Sequence, residues 1–276
     1  MKQYLDLLSE LQSAVIKDNR TGISAASKFF HTMEFDIAKN GFPAVTTKKL
    51  AIKAVVGECL GFLRASSNSA EFEALKCKVW TDNANNHNLN PDGSIKSRNP
   101  WLSNPFRKGE NDLGRVYGVQ WRDWDHTTYL SKADLERMGK DIAGGIEIVT
   151  SLGYENYGFL ADKQLYVFRK KVDQVKWALE ELVKNPLNRR ILITGWNPGD
   201  LDKMCLPPCH LLQHWQCMPM SIDDRINYGI ENIGELFTLP RFNSRVEKEE
   251  KEAELSKVCD LHGIPKYTLN LMMYQR

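Results

Sequence analysis

The sequence has no apolar run near the ~18 residues of a membrane span. Its opening, Met1-Lys-Gln-Tyr-Leu-Asp6, lacks the charged-then-apolar order of a secretion signal. Net charge is nearly absent, since 37 Lys and Arg against 35 Asp and Glu leave +2. That is too little to draw a nucleic acid polymer or a membrane to the chain by long-range attraction, so any anion site must be local. The six cysteines, at positions 59, 77, 205, 209, 217 and 259, follow no framework spacing. This argues against a disulfide-stapled fold and fits thiols in a reducing cytoplasm. Repeats and low-complexity tracts are missing too. What remains, with 276 residues, 42% hydrophobic and 26% charged, is a globular protein of one large domain or two ordinary ones.

Leu5, Leu8, Leu11 and Val15 predict an amphipathic helix over residues 4–17, followed by a turn at 18–22. Residues 29–37 read as a strand, broken by Gly41-Phe-Pro43. Residues 48–64 read as a helix with Ala51, Val55, Cys59, Leu60 and Leu63 on its apolar side. That spacing puts Glu58 either at the helix margin, where an acid avoids the cost of burial and which is favoured, or inside for a purpose. A short helix is expected from Ser69 to before Val79-Trp80, then a long surface loop over 83–112, rich in Asn, Gly, Pro and Ser. Residues 113–124, dense in aromatics, read as packed chain, and 125–171 give no clear pattern. Residues 172–184 are a helix with Val175, Leu179 and Leu182 on one face. Strands follow at 191–196, after Cys209 and at 266–274, and the charge run 246–257 is a solvated helix ended by Gly263.

The chemistry centres on Cys209. Pro207-Pro208 before it have no N–H for a helix or an inner strand, so the thiol stands on a stiff segment ahead of the apolar run Leu211–Trp215. It is either a buried structural cysteine or a nucleophile activated by nearby cations. Arg20 in a turn, Arg189 and Arg190, and Arg276 are a candidate set for such charges and for a phosphate. Two adjacent arginines on a strand face opposite ways, so one of them would serve a neighbour or an interface. A competing reading takes Cys205, Cys209, His210, His214 and Cys217 as zinc ligands. It is disfavoured by the absent C-x₂-C knuckle and by the stiff prolines.

Taken in order, Met1–Leu5, Asn19–Gly22, Gly41–Lys49, Val116–Arg122, Asn188–Arg190, Trp196–Met204, Leu206–His210 and Tyr274–Arg276 resemble the thymidylate synthases. The resemblance implies an α+β fold, a mixed sheet with packed helices, in a homodimer joined through the sheet face. It implies reductive methylation of dUMP to dTMP, with 5,10-methylenetetrahydrofolate as co-substrate and no metal. Cys209 would be the nucleophile at C6 of the pyrimidine, with Glu58, Tyr117 and His210 in the proton-transfer machinery. That role reverses the marginal placement of Glu58. Arg20, Gln275 and Arg276 would bind substrate from one subunit, and Arg189 and Arg190 from the other. Trp80, Leu206 and Lys48 would hold the folate.

Some positions depart from the family pattern: Gly114-Arg115 stands where Gly-Pro is common, Ala51 for a histidine, and Gly61 and Asn83 for tryptophans. Residues 218–265 read as an insertion between two strands that otherwise form a short hairpin. The family's later phosphate-binding serine, folate-binding aspartate, Phe-Asn pair and His-x-Tyr have no counterpart. The expectation is thus a C-terminally incomplete synthase domain, in need of a separate C-terminal fragment or acting only as a nucleotide binder. A hydroxymethylase of dUMP or dCMP is the alternative within the same family.

Overall fold

The computed structural model describes residues 2–18 and 23–275. The amphipathic start forms α1 (Lys2–Leu11), shorter than expected, because β-branched Val15 and Ile16 enter β1 (Val15–Lys17). β1 pairs antiparallel with β2 (Ala25–Ser27). The strand expected at 29–37 is absent. Phe29 and Phe30 stand exposed with no sheet to pack on, and Asp36 caps the single turn α2 (Ile37–Asn40) by accepting from the Lys39 N–H at 2.9 Å.

α3 (Ile52–Leu63) lies inside the expected span but turns a different face inward. Gly57, Gly61 and Phe62 are buried and Glu58 is half-buried, while Val55, Cys59, Leu60 and Leu63 are exposed. Small residues decide this. A Cβ on Gly57 would collide with the Leu75 carbonyl oxygen, so α3 approaches its neighbour backbone to backbone. That neighbour follows α4 (Ser69–Ala74), which leads to α5 (Thr81–Asn85) with Trp80 as its N-terminal cap residue.

The Asn-rich stretch is more ordered than a surface loop. It holds a small hairpin, β3 (Asn88–Leu89) with β4 (Ile95–Ser97), and a 3₁₀ turn at Pro100–Ser103. One side chain, Asn99, donates to the carbonyls of Asn83 and Asn86 at 2.9 and 3.0 Å and so ties this stretch to α5. The aromatic stretch becomes α6 (Tyr117–Arg122), with Tyr117 through Trp121 all buried. With residues Trp196–Pro208, the chain from Met1 to Asp123 forms the first of two compact units.

Trp124–Gly195 and Cys209–Arg276 form the second. The stretch without clear sequence pattern is a three-stranded antiparallel sheet, ordered β5 (Trp124–Ser131), β7 (Leu165–Val172), β6 (Glu155–Leu160). Between β5 and β6 run α7 (Lys132–Met138) and α8 (Ile142–Ser151). Leu135, Val149 and Phe168 form its core, with Leu130, Ile142 and Ile146 packed against them. α9 (Gln174–Lys184) buries Ala178, whereas Leu179, expected inside, is exposed.

The second sheet of this unit is antiparallel and ordered β8 (Ile191–Thr194), β9 (His210–Pro219), β10 (Tyr267–Gln275). Between β9 and β10 the chain makes a helical excursion, α10 (Ile222–Ile233) and α11 (Lys248–Leu261). It leaves and returns at one place, where the Met220 N–H donates to the Lys266 carbonyl at 2.9 Å. The charge run is thus a helix as expected, but not only a solvated one. Its C-terminal end buries Cys259 with Phe237 and Ile264, and the buried Arg225 donates to Asp260 at 2.6 Å and to the carbonyls of Ile264 and Pro265, both at 3.1 Å. No helix among the described residues is long and apolar enough to cross a membrane.

Candidate active site

In the first unit, three of the expected residues converge. Trp80 is 3% exposed and Tyr117 4%. Both sit in a cluster with Phe62, Phe72 and Trp121, where Tyr117 stacks on Phe62 at 4.7 Å between centroids and meets Trp80 edge-on at 5.6 Å. The Trp80 indole Nε1–H donates to Glu58 Oε1 at 2.9 Å. The Glu58 carboxylate therefore points to the interior face of α3, where the resemblance puts it and where helical spacing did not. An indole donor is what makes an acid tolerable there. Leu206 is half-buried and Lys48 is exposed.

The sequence reading did not find the charge network in this unit. Asp200, 5% exposed, accepts from Arg115 Nε at 2.7 Å, Lys203 Nζ at 2.8 Å and Gln120 Nε2 at 3.0 Å. Asn197 Nδ2 lies 3.2 Å from the same carboxylate. Burial alone would raise the Asp200 carboxyl, but the bonds from Gln120, Lys203 and Arg115 outweigh it and hold the pKa below the ordinary carboxylate value. The partners are 80 and 85 positions apart for Gln120 and Arg115, so no local spacing announces them. The one usable signal was Arg115 itself, a long cation in place of a proline.

In the second unit, Cys209 is half-buried and directly precedes β9, as the two prolines suggested. His210 opens the strand and Gln275 pairs with it across β10, past a register shift after Tyr274. Gln275 is thereby set beside the nucleophile candidate. Burial pushes the thiols of Cys77, Cys217 and Cys259 above the ordinary cysteine value.

Arg189 and Arg190 are not on a strand; they occupy the turn before β8 and are both exposed. The backbone carbonyl of Arg189 accepts from His214 Nε2 at 3.0 Å. Register fixes where the pair lies, because Ile191 is opposite Trp215 and Thr194 opposite Leu212. Cys209 therefore stands ahead of one end of β9 and the arginines beside its other half, roughly 20 Å away at the usual rise per residue. Arg20 and Arg276 lie outside the described residues. The alternative metal reading finds no support in the geometry, since His214 and Cys217 fall on opposite faces of β9. Among the described residues no group of His, Cys, Asp or Glu is arranged to hold a metal ion.

Residues 2–229 match the family model described as thymidylate synthase. The chain is 40% identical over 224 residues to a thymidylate synthase of Pseudomonas syringae pv. tomato, covering 80% of this chain and 63% of the relative. A thymidylate synthase of Pseudomonas putida is 41% identical over 217 residues, 77% of this chain and 60% of the relative. One of Bordetella parapertussis is 42% identical over 220 residues, 79% and 62%. The chain belongs to the thymidylate synthase family, and it spans less than two thirds of the length of these curated relatives.

Proposed function

We propose that the protein is a thymidylate synthase, converting dUMP to dTMP with 5,10-methylenetetrahydrofolate as donor of the carbon and the hydride. In this reading the Cys209 thiolate adds to C6 of the pyrimidine, and C5 becomes enolate-like and attacks the one-carbon unit. Glu58 and Tyr117 handle the protons, with His210 beside the nucleophile. Trp80, Leu206 and Lys48 serve the folate. Arg20, Gln275 and Arg276 serve dUMP within one subunit. The domain would span the whole of residues 1–276, with 218–265 an insertion, and would act in the cytoplasm.

The observation that carries this reading is the family match across residues 2–229, a range that contains both Cys209 and Glu58, the latter paired with Trp80. Dimerisation is supported by the distance between Cys209 and the Arg189–Arg190 turn. No arginine side chain spans a gap of roughly 20 Å, so the pair would reach a phosphate only in a neighbour's site. The sheet face bearing Leu192, Met272 and Tyr274, all exposed, is a surface for that contact. The insertion is supported by the single point at which α10 and α11 leave and rejoin the strands.

The test is product analysis after incubation with dUMP and the folate. dTMP is the expected product; 5-hydroxymethyl-dUMP in its place would make the enzyme a hydroxymethylase and overturn the proposal.

A further inference from the structure

Two backbone stretches of the first unit run against each other just upstream of Cys209. The Cys205 N–H donates to the Leu113 carbonyl at 3.0 Å and the Arg115 N–H to the Lys203 carbonyl at 2.8 Å, around a bridge between Gly114 and Met204. Gly114 has φ 68° and no room for a Cβ, which would collide with the Lys203 carbonyl oxygen. Side chains then lock the same pair of stretches. Arg115 donates from Nε to Asp200 at 2.7 Å and from a terminal nitrogen to the Asp123 carbonyl at 2.7 Å, so its guanidinium joins the C-terminal end of α6 to the 3₁₀ turn Pro198–Lys203. Gln120, fully buried, donates to the Arg115 carbonyl and to Asp200, both at 3.0 Å. Leu206 comes three residues after Lys203, and Cys209 after two stiff prolines.

We propose that Arg115 is a positioning residue for the reaction: its ion pair with Asp200 clamps the stretch Lys203–Cys205, which leads on through Leu206 and two prolines to Cys209, against the segment Leu113–Arg115 that precedes α6. Substrate need not touch it. A planar fork with several donors suits this task better than an ammonium, because it can hold a carboxylate and a carbonyl at once. Pro208 carries the constraint onward, since a proline has little freedom to absorb a shift before the thiol. The inference rests on the proposed synthase chemistry for its meaning, but its test need not.

The experiment compares wild-type protein with Arg115→Met, Arg115→Lys and, as a stability control in the second unit, Val149→Ala. Two rates are read: covalent adduct formation with 5-fluoro-dUMP plus the folate, and iodoacetamide labelling of Cys209 by peptide mass mapping, which needs no substrate. Arg115→Met is expected to slow the adduct at least tenfold, leave dUMP affinity within threefold and change Cys209 labelling at least threefold. Arg115→Lys should recover part of both rates and stands in if the methionine variant does not fold. Val149→Ala should lose stability without either change. Unaltered labelling and adduct rates in the Arg115 variants, or equal losses in Val149→Ala, would overturn the clamp. If wild-type protein forms no adduct, the synthase reading fails while the labelling still judges Arg115.

Discussion

The indole of Trp80 donates to the carboxylate of Glu58, 22 positions earlier, across 2.9 Å. The pair accompanies the turn of α3 that its glycines impose, with the acid inward and several aliphatic residues out, and it joins the proposed proton-transfer acid to the proposed folate contact. Trp80→Phe keeps a ring in the cluster and deletes only the donor. We expect a loss of about 1.5 kcal/mol in urea denaturation, the scale of a hydrogen bond to a charged group. If the bond is kept in the transition state, kcat falls about tenfold. A Trp80→Phe enzyme with unchanged kcat would separate the pair from catalysis.

Gly57 is where α3 meets the Leu75 carbonyl. Gly57→Ala puts a methyl against a backbone oxygen that has no rotamer to escape into. The expected cost is about 1–3 kcal/mol or more, typical of overpacking, despite the better helix propensity of alanine. A denaturant midpoint at or above that of the wild type would contradict the close approach.

Asp200 makes stability depend on acid. Its folded pKa is depressed, so its contribution is complete above the unfolded value of about 3.9 and is lost as pH falls through the lower folded value. Denaturation midpoints measured from pH 6 down to pH 2.5 should fall more steeply for the wild type than for Asp200→Asn, which cannot titrate. Parallel curves would show that the carboxylate is not held as described.

The helical excursion offers a stability test. Because Met220 and Lys266 meet at its base, replacing residues 221–265 by a short turn should leave the β9–β10 pairing intact. Circular dichroism should then lose helix and keep strand, with dUMP affinity within threefold. A loss of dUMP binding would make α10 and α11 part of the site.

The Arg189–Arg190 turn and Cys209 lie several residue pairs apart along one sheet, which gives the shared-site proposal its test. Arg189→Ala and Cys209→Ser proteins should each be inactive alone. Mixed and allowed to exchange, they should recover about one site in four, the statistical share of intact sites in a symmetric dimer. No recovery, or activity in a monomer, would refute sharing.

Much of the site was legible in the sequence because it is local. Pro207-Pro208 before an apolar run placed Cys209 at a strand start, and the structure has it there. The strands after Cys209 and before Gln275 were equally visible from their apolar runs. Glu58 was not legible from periodicity, because the inward face of α3 is built from glycines, which hydrophobic spacing ignores. The sheet at 124–172 escaped notice for a related reason. Its strands mix charged and aromatic residues, and its core of Leu135, Val149 and Phe168 is gathered from two helices and a strand. The Asp200 network left only Arg115 as a trace in the sequence, since its members converge only once α6 and the 3₁₀ turn have folded together. The arginine pair was identified correctly as two cations but assigned to a strand, whereas Asn188, accepting from the Arg190 N–H at 2.9 Å, turns the chain there.

The central claim is that Cys209 is the nucleophile of a thymidylate synthase. Intact-protein mass after incubation with 5-fluoro-dUMP and 5,10-methylenetetrahydrofolate tests it most directly. The account predicts a mass increase equal to both ligands in the wild type and none in Cys209→Ser. An adduct that survives Cys209→Ser, or a wild-type protein that takes up neither ligand, would contradict it.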